Sequence, residues 1–280
     1  MEVFYTGKNN GYFDTNIMEF NRFSNGGKFS LSWWLKYTEL SRQIFGSKCV
    51  RNISGEDSMD NKTMYIVRQQ AQFTCEAQKF IQRVQSSDQS TVHDFPIRIY
   101  HSTSMVKNTS LVYYTKITDL TRNVELVHLV SHMVLINTAT RKPISVPDAV
   151  KLYVNNLPNS PLHDISPVHD PVVNPPDDFR LFTWSRKISL LDTDYNGHAN
   201  NSLYFTIPLQ SLEVAMQNNY LQNHNKSVSN YVLDKYSLRI VKECHIGQVI
   251  VVTMWQSDEN VFHFILTVGN NAVSYLTLWF

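Results

Sequence analysis

Hydrophobic residues recur along this chain in two rhythms, separated by a stretch that sustains neither. In the first half, residues 64–73, 95–102, 110–119 and 125–136 read as strands. The third (SLVYYTKITD) and fourth (ELVHLVSHMVLI) are rich in β-branched and aromatic side chains, and Arg122-Asn123 supplies a turn between them. In the second half, residues 231–241, 249–256, 261–268 and 272–278 have the same character. Asn270-Asn271 predicts a tight hairpin turn there, because Asn tolerates positive φ. Two segments switch to the helical period. After a capping Ser30 come Leu31, Trp34, Leu35, Thr38 and Phe45. Leu203, Ile207, Leu212, Ala215 and Met216 form the second set, with Pro208 predicting an early bend.

The interrupting stretch is 151–178, which holds six of the ten prolines. Proline fixes φ and removes a backbone donor, so this stretch predicts an extended linker, neither helix nor inner strand. It leaves an N-terminal unit over 1–150 and a C-terminal unit over 179–280. Each opens with a loop rich in Asn and Gly, NRFSNGGK at 21–28 and DTDYNGHANN at 192–201. Each loop leads into one helix and then into strands. The letters of the halves differ, but the repeated element order predicts an α+β fold given twice. In each unit the sheet wraps its helix, and the two copies pair as a pseudo-dimer.

Composition narrows the function. With 42% hydrophobic and 18% charged residues among 280, the chain reads as globular. Lys plus Arg is 25 against 24 Asp plus Glu, which gives no global field to attract nucleic acid or an anionic membrane. No run approaches the ~20 apolar residues of a membrane span. The first residues carry neither a signal nor a transit pattern, so a soluble, cytoplasmic protein is expected. Cys49, Cys75 and Cys244 cannot all pair with one another and match no zinc spacing. His101, His128 and His132 lie on strand-like runs without carboxylate or thiolate company, so no metal is expected. Neither a G-x-S-x-G elbow nor a Gly-rich phosphate loop occurs, and no cofactor is expected.

The most informative segment is Asp192-Thr-Asp-Tyr-Asn-Gly-His-Ala-Asn-Asn-Ser-Leu-Tyr204. Turn-forming residues alone would suit an ordinary surface loop. The flanks argue otherwise: Phe182, Trp184, Ile188, Leu190 and Leu191 precede it, and Leu203, Tyr204 and Phe205 follow. Polar groups between two core elements need a reason to be there. A loop entering a helix offers free N–H groups and the positive end of the helix dipole, which stabilise an oxyanion. Gly197 lets the backbone approach a carbonyl closely, and Asp194 and His198 are placed to orient water or polarise a substrate.

The segment resembles the signature of the acyl-ACP thioesterases of plants and bacteria, Asp-x-Asp-x-Asn-x-His-x-Asn-Asn-x-x-Tyr, at every fixed position. A second block, YSLRIVKEC at 236–244, resembles the strand of that family that ends in a Glu-Cys pair. The strands after Phe95, with Thr140-Arg-Lys-Pro143 and Pro147, resemble its first unit. The resemblance implies a tandem (double) hotdog fold, each unit a long central helix wrapped by an antiparallel β-sheet. It implies hydrolysis of a fatty acyl thioester carried on acyl carrier protein or coenzyme A, and catalytic roles for Asp194, Asn196, His198 and Glu243. Glu243 then reads as the base that activates water, against the plainer reading of a solvated carboxylate. Cys244 reads as packing, with a nucleophile as the alternative. Asp192, Asn200 and Asn201 read as structural. The first-unit loop lacks the Asp and the His, so one site per chain is expected. Only Arg239 and Lys242 are basic before Glu243, which leaves the carrier open, as a homodimer is left open. Two rivals stand beside the hydrolase. A hotdog hydratase places its His one residue later, and an acyl-binding protein keeps the fold without turnover.

Overall fold

A computed structural model describes residues 3–5, 10–16, 61–86, 95–156, 170–193, 198–221, 228 and 231–280. The loop at 21–28, the helix expected from Ser30 to Phe45 and Cys49 lie outside the described residues. The chain divides into two compact units, Met1–Pro167 and Val168–Phe280.

The first unit holds β1 (Val3–Tyr5), β2 (Asn10–Asn16), β3 (Lys62–Phe73), α1 (Cys75–Ser86), β4 (Pro96–Val106), β5 (Ser110–Asp119), β6 (Val124–Asn137) and α2 (Asp148–Asn155). Its strands lie in the order β1-β2-β4-β5-β6-β3, antiparallel throughout. Asn123 turns the chain between β5 and β6 at φ 54°, in the left-handed region that Asn tolerates. The apolar run of β5 serves both faces. Leu111 and Tyr113 pack in one cluster, and Val112 and Tyr114 in another with Val130.

Two helices here depart from the sequence reading. α1 was not expected, although Ala77, Phe80 and Val84 are buried at helical spacing and the Thr74 hydroxyl accepts from the Ala77 N–H at 3.2 Å. The extended linker expected from residue 151 is corrected at its start, because α2 continues to Asn155. The linker's prolines begin only at Pro158, and Pro147 stands at the N-cap, where its missing N–H costs the helix no hydrogen bond. Val150 and Val154 then bury against Ile66, Leu111, Tyr113, Met133 and Leu135.

The second unit holds β7 (Phe182–Lys187), a 3₁₀ turn (Leu190–Asp192), α3 (Leu203–Gln217), β8 (Lys235–Ile240), β9 (Val249–Asp258), β10 (Val261–Val268) and β11 (Asn271–Trp279). Its order, β7-β9-β10-β11-β8, repeats the first unit's β2-β4-β5-β6-β3. The same strand order therefore occurs twice among the described residues. α3 packs on β7, β9 and β11 through Leu203, Phe205, Ile207, Leu212, Ala215 and Met216. Pro208 does not end it, and the helix runs on to Gln217. It stops at Asn219, whose φ of 52° lets the Asn219 N–H reach Met216 O and the Tyr220 N–H reach Ala215 O. The hairpin turn expected at Asn270-Asn271 sits one residue earlier. Gly269 takes the positive φ, 58°, as the first position of a two-residue loop requires, and Asn271 already belongs to β11.

Candidate active site

The site begins where β7 ends. Ser189 and Asp192 close the 3₁₀ turn, with the Ser189 N–H and hydroxyl donating to Asp192 Oδ2 at 2.8 and 2.6 Å. Arg186 Nη2 donates to both oxygens of the same carboxylate, and its Nη1 reaches Gln210 on α3 at 2.9 Å. Burial pushes the Asp192 carboxyl up. The Ser189 hydrogen bonds and the Arg186 charge outweigh it and hold the group below its ordinary value.

From this turn the chain enters the candidate loop. Thr193 and Ala199 form an antiparallel bridge, and the Asn200 N–H donates to Asp192 O at 2.9 Å. Asp194, Asn196 and Gly197 fall between these anchors and lie outside the described residues. Beyond the bridge, Asn200 Oδ1 accepts from the Ser202 N–H and hydroxyl, and α3 begins at Leu203. Asn200 thus spends its side-chain oxygen on Ser202, and Asp192 its carboxylate on Ser189 and Arg186.

The second segment of the site, 241–248, follows β8. It meets the loop by an antiparallel bridge between His198 and His245, and the Ala199 N–H donates to Cys244 O at 2.7 Å. These contacts bring His198 Nδ1 to 3.6 Å from Glu243 Oε1, with the two side chains 21% and 23% exposed. Glu243 is therefore half-buried beside an imidazole. The His245 ring lies edge-on to His198, centroids 5.0 Å apart. Tyr204, on the first turn of α3, donates its phenol to Lys242 O at 3.1 Å and accepts from the Cys244 N–H at 2.9 Å. Cys244 is fully buried. Burial pushes its thiol up, against the Tyr204 hydrogen bond, so the reactive thiolate is disfavoured.

Sequence reasoning gave no part to Arg186 or His245. For Tyr204 it had the motif position without a contact. A cavity of about 430 Å³ opens elsewhere in this unit, past the C-terminal end of α3, between Arg180, Tyr220, Trp255 and Ser257. Neither His198 nor Glu243 lines it. Among the described residues, no group of three or more His, Cys, Asp or Glu side chains is placed to hold a metal ion. No described helix is long and apolar enough to cross a membrane.

Compared with solved structures, the chain has the double hotdog fold. An acyl-ACP thioesterase from Bacteroides thetaiotaomicron matches at TM-score 0.66 and 14% identity, over 96% of this chain and 97% of that one. A 12:0-ACP thioesterase from Umbellularia californica matches at TM-score 0.68 and 14% identity, over 98% of each. No protein-family model and no curated protein matches the chain by sequence. The likeness is one of fold along nearly the whole length, which agrees with the resemblance carried by residues 192–204 and 236–244.

Proposed function

We propose that this chain hydrolyses fatty acyl thioesters to a fatty acid and a thiol. The observation that carries the reading is the approach of His198 Nδ1 to Glu243 Oε1, 3.6 Å apart, at the foot of the loop that contains Asp194 and Asn196. Two groups from distant parts of the sequence lie side by side, which supports the roles proposed for them. The fold shared with acyl-ACP thioesterases supports the same reading.

In this mechanism the thioester carbonyl lies against the loop, where the Asn196 amide and the Gly197 backbone N–H stabilise the developing oxyanion. Glu243 accepts a proton from water as the water oxygen bonds to the carbonyl carbon. His198 holds Glu243 and the water in line, and Asp194 orients the loop. The tetrahedral intermediate collapses, the C–S bond breaks, and the leaving thiolate takes up the proton. Water and thioester thus become acid and thiol without a covalent enzyme intermediate. The carrier is acyl carrier protein or coenzyme A.

The test is thiol release by the purified chain from acyl-ACP and acyl-CoA of several chain lengths. Release from saturated thioesters supports the proposal. Hydration of an enoyl thioester without thiol release makes the chain a hydratase. Binding without turnover makes it an acyl-binding protein.

A further inference from the structure

The segment that carries Glu243 belongs to neither neighbouring strand and meets the candidate loop at the bridge between His198 and His245. β8 ends at Ile240 and β9 starts at Val249, so residues 241–248 must satisfy their backbone in other ways. The Val241 and Lys242 N–H groups reach Val273 O, and the His245 N–H reaches Gln248 Oε1. At the centre, the Lys242 carbonyl and the Cys244 N–H both turn to one atom, the Tyr204 hydroxyl. Those two groups flank Glu243 on either side.

Tyr204 is 1% exposed. Its ring alone would pack as well as that of Phe, so the hydroxyl, costly to bury unpaired, is explained by what it binds. A phenol that donates to one peptide and accepts from the next fixes both peptide planes around Glu243, and so the direction of its Cα–Cβ bond. We infer that Tyr204 is a positioning residue, whose hydroxyl clamps the backbone on both sides of Glu243 and thereby holds the carboxylate at His198. The clamp comes from the first turn of α3, which also ends the loop with the other candidate groups. One helix terminus therefore sets the distance between the two halves of the site. The catalytic consequence rests on the proposed hydrolysis, whereas the placement of Glu243 does not.

The decisive variant is Tyr204→Phe, which keeps the ring and removes only the clamp. Three readouts separate positioning from mere stability. First, kcat for thiol release falls about 10-fold or more while KM stays within about 2-fold, as a misplaced group close to the reacting atoms requires. Second, adding Tyr204→Phe to Glu243→Gln costs less than about 2-fold further, because residues acting through one another are not additive. Third, at fixed neutral pH the His198 imidazole NMR resonance, identified by its loss in His198→Ala, moves in Tyr204→Phe toward its position in Glu243→Gln. Site-specific 3,5-difluorotyrosine at position 204 covers the case in which Tyr204→Phe does not fold. It keeps the ring and shifts the balance of the hydroxyl between donor and acceptor, and a loss in kcat without a change in KM is expected. Full activity in either variant together with an unmoved His198 resonance overturns the inference and leaves thioester hydrolysis standing. A wild type that releases no thiol overturns the hydrolysis instead, and the imidazole resonance then decides the clamp alone.

Discussion

Arg186 holds Asp192 by both carboxylate oxygens, with Nη2 2.6 Å from Oδ1 and 2.7 Å from Oδ2. The pair is 28% and 11% exposed and sits at the foot of the candidate loop. Asp192→Ala leaves the guanidinium and the Ser189 N–H without their acceptor, at a cost of about 2 kcal/mol for a partly buried pair. Urea unfolding measures it, and thiol release should fall as the loop loses its anchor. Because the Asp192 carboxyl is held low, its contribution is present above the ordinary carboxylate range. It is lost only as pH falls through the lower native value.

The chemistry should respond to single atoms. Asp194→Asn, His198→Ala and Glu243→Gln are each expected to lower kcat by about 10²-fold or more, the usual scale for losing a base or its orienting partner. Circular dichroism establishes that each variant is folded. Full turnover in the His198 and Asp194 variants would sink the proposed mechanism.

Cys244 gives the opposite expectation. It is fully buried with its thiol pushed up, whereas Cys75 is exposed. A soluble thiol reagent should label Cys75 in the native protein and Cys244 only after unfolding, as mass spectrometry of the labelled peptides will show. Cys244→Ala should cost about 1 kcal/mol of packing and leave turnover within a few-fold. An acyl-enzyme burst, abolished by Cys244→Ala, would instead make the thiol a nucleophile.

Acid should destabilise the second unit through His263. This ring is 5% exposed, shares Ser257 Oγ and Thr277 Oγ1 at 2.6 and 3.0 Å and stacks on Trp255. Burial lowers it from 6.5 to about 4. The unfolded chain therefore takes up a proton at higher pH than the folded one. Stability is complete above pH 6.5 and falls between pH 6.5 and about 4. The full loss is about 3 kcal/mol on the scale of 1.36 kcal/mol per pKa unit. Unfolding curves against pH should show a shallower slope in His263→Gln. For the chain as a whole the slope should not vanish, since in the first unit burial also lowers His128 against the pull of Glu125.

The legible parts of the fold were those in which local pattern and tertiary environment agree. Residues 110–119 and 261–268 form strands with the bounds their β-branched runs predict. α1 was missed because Cys75 follows β3 after a single residue, so its narrow Ala77, Phe80, Val84 stripe hides in a continuous polar and apolar mixture. In the site, the motif pointed to His198, but the letters contain no measure of how near Glu243 comes. That distance is set by the bridge between His198 and His245 and by the Tyr204 hydroxyl, both products of tertiary folding. His245 was overlooked because a lone imidazole on an eight-residue connection, 241–248, has no periodic or motif signal of its own.

The attachment of residues 241 and 242 to Val273 sets a schedule for the nascent polypeptide. Both N–H groups donate to that one carbonyl on β11, at 2.9 and 3.2 Å. In synthesis the Val273 carbonyl comes after the two N–H groups that it receives, so this anchor forms only once β11 has docked. A chain cut before residue 273 therefore keeps Glu243 and His198 but loses the acceptor that anchors the start of the 241–248 connection.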